Sequence, residues 1–374
     1  MKRRISIIGG GITGLTTAIA LGQKGIPSTI YEQAASLEEV GAGIWLQPNA
    51  IHVLDTLGLK PKIEKAGALI DKMEITDPSF KPHKTIPSSI ATDAHGNKTI
   101  GIHRAKLQKI LYAKAKEYAN IHFGKKYINH TETKGNIEIQ FEDGKETTDI
   151  LLGADGINSK VRNSFYPNAK TRNAEQMCWR GIANLELPEQ LKNKGKEAWG
   201  KNVRFGFSEI DSQNNVYWFA VLKKQAQIPS TDELPSFFSN FNPIASQLIR
   251  ATENIHMAEL GDLKRLANWH KEMVCLLGDA AHATTPNMGQ GAGQGIEDAY
   301  YFAHFISSHD DPKNAFKLFE KSRRKKVDYI VNNSWTFGKL AHIPIGRFLL
   351  TSMMKITPQK IIQKQMSRVY SVEI

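Results

Sequence analysis

Cysteine is scarce: two residues in 374, Cys178 and Cys275, leave no room for a disulfide framework, a CxxC redox pair or a cysteine-based zinc site. Each lies in an apolar, strand-like segment, so both read as buried thiols. Long apolar runs are missing too, and none could span a bilayer. Internal repeats, low-complexity linkers and nucleic-acid-binding motifs are absent, and neither a metal site nor a nucleophile signature is legible. Acidic residues are in the minority, with 37 Asp and Glu against 49 Lys and Arg for a formal charge of +12. That balance attracts acidic ligands, nucleic acid or an anionic membrane. Without a motif for nucleic acid, no such partner is expected. Basic residues are spread along the chain, and the one dense run, Lys321 to Lys326, reads as the solvated face of a helix.

Glycine is plentiful and placed with pattern. Met1-Lys2-Arg3-Arg4 and the apolar run after it imitate a signal peptide. Gly9, Gly10, Gly11 and Gly14 interrupt that run, so no signal peptide is read and a cytoplasmic protein is expected. Ile5 to Ile8 reads as a buried strand, Gly9-x-Gly11-x-x-Gly14 as a tight turn, Leu15 to Lys24 as a helix, and Ser28 to Tyr31 as the next strand, closed by Glu32. This is the dinucleotide fingerprint, in which the first glycine turns the chain, the second admits pyrophosphate and the third lets helix pack on strand. Glu32 stands where a carboxylate can hold ribose hydroxyls.

Further glycine-rich stretches follow the same logic. Gly41-Ala42-Gly43 precedes a helix through Leu57, and Arg104 opens a helix from Ala105 to Tyr118, where it could reach a phosphate or simply face solvent. A strand over Thr147 to Leu152 leads into Gly153-Ala154-Asp155-Gly156, a ligand position at a strand's carboxyl end. Met273 to Leu277 reads as a buried strand running into Gly278-Asp279-Ala280-Ala281-His282 and the loop Pro286 to Gly295, before an amphipathic helix. Glycines ahead of a helix N-terminus make an anion site. Between Met177 and Leu222 the pattern changes to long aromatic and β-branched strands, read as an inserted antiparallel sheet. On it, Arg180, Arg204, Tyr217 and Phe219 are candidates for lining a pocket. Alternation puts Arg204 opposite to Phe205, and Tyr217 with Phe219 on one face. An arginine there suits an anionic or phenolate substrate, with a surface salt bridge as the competing reading. The C-terminal region mixes Phe348, Leu349, Met353 and Ile361 with Arg347, Lys355 and Lys360, a pattern that fits packing on the protein or lying on a membrane surface.

Taken together, the fingerprint, Gly153-Ala154-Asp155-Gly156 and Gly278-Asp279-Ala280-Ala281-His282 resemble the class A FAD-dependent monooxygenases, the para-hydroxybenzoate hydroxylase-like family, over nearly the whole chain. The wording from Thr284 is most similar to the urate hydroxylase, zeaxanthin epoxidase and salicylate hydroxylase-like branch. The resemblance implies an α/β fold: a Rossmann-type FAD-binding domain (1–73, 98–172 and 270–315), an inserted, mainly antiparallel β-sheet substrate domain (74–97 and 173–269) and a helical C-terminal region (316–374). It also implies FAD contacts from Gly9, Gly11, Gly14, Glu32, Gly43, Arg104, Asp155, Asp279, Pro286, Gly289, Gly291, Ala292 and Gly293, with Pro286 also a candidate for the substrate pocket. NADPH or NADH would visit as transient reductant, since a second nicotinamide domain is lacking. The implied activity is O2-dependent hydroxylation or epoxidation of a small aromatic or conjugated molecule through a flavin C4a-hydroperoxide. Many relatives carry asparagine where this chain has Gly293, so contact there would come from backbone. His282 reads as structural. A flavin oxidase, a halogenase and a non-catalytic carrier of the same fold are the alternatives. The halogenase Trp-x-Trp-x-Ile-Pro segment is absent, and a carrier would be expected to lose the flavin motifs. Peripheral membrane contact through the C-terminal helix is a further expectation.

Overall fold

Four apolar residues, Ile5–Ile8, form the strand around which a six-stranded sheet is built. The computed structural model describes residues 3–37, 42–133, 135–225 and 227–373. Gly41, in one of the glycine-rich stretches, lies outside them. Ile5–Ile8 pairs in parallel with Ser28–Tyr31 on one side and Ile150–Gly153 on the other. Ala119–His122 extends the sheet beyond Ser28–Tyr31, and Val274–Leu276 extends it beyond Ile150–Gly153, both in parallel. The strands are near-continuous apolar runs because both faces are covered. Helix Ile12–Gln23 packs there, and Leu15, Ile19 and Leu21 are completely buried.

The register matters more than the order. Ile8 stands beside Tyr31 and Gly153, and Gly153 beside Leu276. Consequently Gly9, Glu32, Ala154-Asp155 and Gly278-Asp279 all leave the sheet at the same edge, the carboxyl ends where open α/β sheets bind ligands.

A seven-stranded sheet runs in the order His256–Leu263, Thr171–Asn184, Asn215–Lys223, Val203–Glu209, Lys194–Trp199, Lys72–Thr76, Pro82–Pro87. Its neighbours are antiparallel except Lys194–Trp199 with Lys72–Thr76. One face carries Trp179, Phe205, Phe207 and Trp218, which pack with Phe238 and Leu248 into a core of their own. The pairings Arg180↔Phe219↔Gly206 and Cys178↔Val221↔Arg204↔Trp199 give the opposite face its composition. That face looks toward the six-stranded sheet's ligand edge, as the contacts below show.

Several boundaries move. The expected strand over Thr147 to Leu152 is two, Gly144–Thr148 and Ile150–Gly153, broken at Asp149, whose carboxylate accepts the Arg4 amide (2.8 Å) and side chain (3.0 Å). The sheet strand expected from Met177 begins at Thr171 and crosses a bulge where Glu175 has φ 56°. Lys194–Trp199 was not foreseen, because Lys-Gly-Lys-Glu carries little strand propensity by itself. After Pro312 the described chain forms three helices, Pro312–His342, Pro344–Ile356 and Gln359–Tyr370. No helix among the described residues is long and apolar enough to cross a membrane. Both cysteines are free and buried.

Candidate functional site

The fingerprint glycines meet three separate demands. Gly9 has φ 108°, and a Cβ there would lie 2.5 Å from the Ala154 carbonyl oxygen, so only glycine allows the chain to turn against the next strand. At Gly14 a Cβ would lie 2.0 Å from the Gly9 carbonyl oxygen, which is what holds Ile12–Gln23 tight on the sheet. Gly11 differs: a Cβ would meet nothing within 4 Å. Its face opens into the space in front of the helix N-terminus, where the first N–H groups of Ile12–Gln23 lack a side-chain cap. Glu32 reaches back to this turn, accepting from the Gly10 amide at 2.6 Å and the Ala34 amide at 2.9 Å.

Asp155 turns inward on its own loop. Its carboxylate accepts from Ser159 Oγ (2.5 Å), the Lys160 amide (2.8 Å) and the Val161 amide (3.1 Å), capping helix Lys160–Phe165. Burial nevertheless raises its pKa, the hydrogen bonds only partly opposing it. From the same helix Arg162, itself buried, donates to the Ala280 carbonyl (3.3 Å) and ties this loop to the one carrying Asp279.

Gly278 adopts φ 58°, and Gly278 and Gly295 both press on Thr13, where a Cβ on either would lie within 2.6 Å of Thr13 Oγ1. The fingerprint helix and helix Gly291–Ser308 are thereby brought side by side. Asp279 and Arg104 are both open to solvent. Neither side chain makes a hydrogen bond or ion pair among the described residues. Surrounding protein raises the Asp279 pKa, with His282 and Arg104 pulling it back. Desolvation by the protein that rings it lowers that of Arg104, although its surface is reachable by solvent, and Arg180 lowers it further, while Asp279 and Tyr217 oppose. Arg104 thus sits electrically between Asp279 and the seven-stranded sheet.

On that sheet, Tyr217 lies against Gly43, where a Cβ would come within 2.3 Å of its ring, giving Gly43 a packing reason to be glycine. Trp45 donates to Ser208 Oγ at 2.7 Å and meets the Phe219 ring edge-on at 6.0 Å. Tyr217 and Phe219 share this face, as alternation predicts, with ring centroids 6.1 Å apart. The two arginines differ sharply. Arg204 is 2% exposed and donates to Glu197 (3.0 Å) and to Asn287 (2.5 Å), which in turn reaches Ser334 on the long helix. It is a buried ion pair, so the surface salt bridge is excluded. Arg180 is half-buried, has no ion pair among the described residues, and keeps an Nε that is buried and unpartnered.

Pro286 and Gly289 are exposed, Gly291 and Ala292 half-buried, and Gly289 is left-handed at φ 63°. Gly291 begins its helix without a side-chain cap, so the amides there are free to meet an anion. A Cβ on Gly293 would come 3.1 Å from Asn49 Nδ2. Asn49 and Gln290 bond each other and, with Gln294 and Glu297, fill the space behind the loop.

The basic run corrects its sequence reading. Lys321 and Lys325 are exposed, but Arg323 is 1% exposed and donates to Glu297 (2.5 Å), Asp298 (2.9 Å) and Gln294 (2.6 Å). Lys326 joins Glu297 at 2.7 Å, and burial brings its pKa down to about 8 despite that partner. The Arg324 guanidinium lies over the Trp269 ring, 4.7 Å from its centroid. Two adjacent acids on a helix that must bury one face are the signal for this network, since something basic has to reach them. Asp298 also accepts from the Gly278 amide (2.8 Å) and lies 2.6 Å from His282 Nε2, which accounts for His282 as a structural residue. Burial pushes Asp298 up, yet His282 and Arg323 hold its pKa below the ordinary carboxylate value.

The chain resembles known proteins in sequence and in fold. A family model described as an FAD binding domain matches residues 2–325. The chain is 32% identical over 343 residues to an aurachin C monooxygenase/isomerase from Stigmatella aurantiaca, covering 90% of this chain and 89% of the relative. It is 30% identical over 353 residues to a 3-hydroxybenzoate 6-hydroxylase from Polaromonas naphthalenivorans, covering 90% and 88%. Among solved structures, Klebsiella pneumoniae HpxO complexed with FAD and uric acid superposes with a TM-score of 0.88 at 24% identity, covering 98% of this chain and 96% of that one.

Proposed function

The chain belongs to the FAD-binding family of class A flavin monooxygenases, and from that premise we propose which residues hold the cofactor and what they select as substrate. The protein is an FAD-dependent monooxygenase of small aromatic molecules. Bound FAD, reduced by NADPH or NADH, supplies the chemistry that activates O2. Everything else falls to the chain. Gly11 and the free amides of Ile12–Gln23 take the pyrophosphate, Glu32 the adenosine ribose, and Asp279 with Arg104 the sugar chain. The uncapped start of Gly291–Ser308, with Pro286, Gly289, Ala292 and Gly293, would hold the flavin ring and would favour negative charge on it. Asp155 shapes its loop, and Gly43 lets Tyr217 close the cleft. In domain terms, segments 1–73, 98–172 and 270–315 form a Rossmann-type FAD-binding unit, and 74–97 with 173–269 a substrate unit.

The substrate in this reading is an aromatic compound bearing a phenolate, enolate or carboxylate oxygen. One observation carries it: among the described residues the Arg180 side chain makes no hydrogen bond or ion pair, whereas Arg204, whose Nε is likewise buried and unpartnered, is neutralised by Glu197. An unpartnered guanidinium in a partly dry site is costly unless a ligand oxygen meets it. Trp45, Tyr217 and Phe219 supply the aromatic walls. The names of relatives, a 3-hydroxybenzoate 6-hydroxylase and a 2-heptyl-3-hydroxy-4(1H)-quinolone synthase, fit such molecules. We further read the basic, apolar C-terminal helices as a peripheral membrane contact. The test is Arg180→Gln against hydroxybenzoates and alkylquinolones, with flavin content monitored. A rise in KM of roughly tenfold or more for the turned-over compound at unchanged flavin content is expected. Unchanged KM would assign Arg180 no role in recognition.

A further inference from the structure

Exposed large apolar residues are concentrated in one place. Of the eleven among the described residues, seven lie between positions 343 and 361. Helix Pro344–Ile356 buries Gly346 and half-buries Leu350 and Met354 against the protein. Its outward stripe is equally apolar, with Ile345 73%, Phe348 69%, Leu349 53%, Met353 60% and Ile356 79% exposed. At 100° per residue these five fall on one side of the helix. A surface helix ordinarily turns charge outward, so this stripe is built for an apolar surrounding.

Charge identifies that surrounding. Between Asp328 and Glu373 the sequence has six Lys and Arg and no Asp or Glu. Lys355, Lys360 and Lys364 are exposed and have no ion-pair partner among the described residues. A second copy of the chain is a poor occupant, because a two-fold contact would bring this cationic flank against itself. An anionic lipid surface meets both demands, accepting the apolar stripe between headgroups and the lysines on phosphates. Thirteen residues span about 20 Å, too short to cross a bilayer.

We propose that the outward face of Pro344–Ile356, flanked by Lys355, Lys360 and Lys364, docks the enzyme in-plane on anionic phospholipid membranes. The inference rests on the peripheral-contact reading of the C-terminal helices and is independent of how the cleft holds flavin. It also places a monooxygenase where apolar aromatic substrates concentrate.

The test uses the full-length, FAD-loaded protein and phosphatidylcholine vesicles with and without phosphatidylglycerol, assayed by co-sedimentation, together with light scattering after gel filtration. Binding should be at least roughly tenfold stronger to the anionic vesicles and should weaken in high salt. The triple variant Ile345→Gln, Met353→Gln, Ile356→Gln should lose roughly tenfold or more of it, with the same visible flavin spectrum as the parent. Lys360→Glu with Lys364→Glu should lose the preference for anionic lipid. Equal binding to neutral vesicles, equal binding by the triple variant, or a dimer that the triple variant dissociates would each overturn the proposal. Failure of the flavin reading would show separately, as colourless protein.

Discussion

Removing Arg323 should be among the most damaging single changes outside the cleft. Its guanidinium is the shared partner of Glu297 and Asp298, and all three side chains are essentially excluded from solvent. In Arg323→Met the volume is largely kept while two buried carboxylates lose their common cation. Breaking a buried pair from one side typically costs about 3–5 kcal/mol, because a desolvated charge is left behind. Lys326 still meets Glu297 and His282 still meets Asp298, so the lower part of that range is expected. For a chain of this size that corresponds to roughly 4–5 °C in Tm. Differential scanning calorimetry of the FAD-loaded protein is the assay, with Lys321→Ala and Lys325→Ala as exposed controls expected to stay within about 0.5 kcal/mol. Adding Asp298→Asn to Arg323→Met should recover at least about 1 kcal/mol, since Glu297 keeps Lys326 as its cation whereas the buried Asp298 carboxylate has lost its guanidinium. If Arg323→Met melts with the controls, or the second substitution worsens it, the buried network does not anchor helix Gly291–Ser308 as argued.

Other predictions follow from the same geometry. Gly11→Ala should leave the melting of flavin-free protein almost unchanged yet weaken FAD binding, whereas Gly14→Ala should destabilise the flavin-free protein as well, because its Cβ has no room beside the Gly9 carbonyl; titration with FAD and a melting curve separate the two. Asp279→Ala should lower flavin content after purification, and unchanged content would remove it from the cofactor site. His342 is buried beside Gln176 and Arg204, and burial brings its pKa down to about 4. The unfolded chain, with an ordinary histidine near 6.5, therefore binds more protons between these values, so stability falls as pH drops from about 6.5 to 4, by at most about 3 kcal/mol from this group. His342→Gln should flatten that part of a Tm–pH profile, and an unaltered slope would place the acid sensitivity elsewhere.

Much of the cleft is legible in the sequence because glycine spacing encodes backbone geometry directly. Gly9, Gly14 and Gly278 are required by contacts a Cβ would violate, and such requirements survive any rearrangement of side chains. Ile5–Ile8 and Ser28–Tyr31 are read to the residue for a similar reason, being short apolar runs bounded by turns. What escaped depends on contacts between distant segments. The exposed reading of Lys321 to Lys326 failed at Arg323 because its acids lie 25 and 26 residues upstream, on another helix. Arg180 and Arg204 share one sheet face and look alike in sequence. Only Glu197, on a strand with weak propensity, distinguishes the free cation from the neutralised one.

The central claim is tested most directly by following the oxygen. With the compound that most accelerates NAD(P)H oxidation by the FAD-loaded enzyme, turnover under isotopically labelled O2 should yield a product containing one labelled oxygen atom, detected by mass spectrometry. If every stimulating compound is recovered without label and the O2 consumed appears wholly as hydrogen peroxide, the protein is not acting as a monooxygenase.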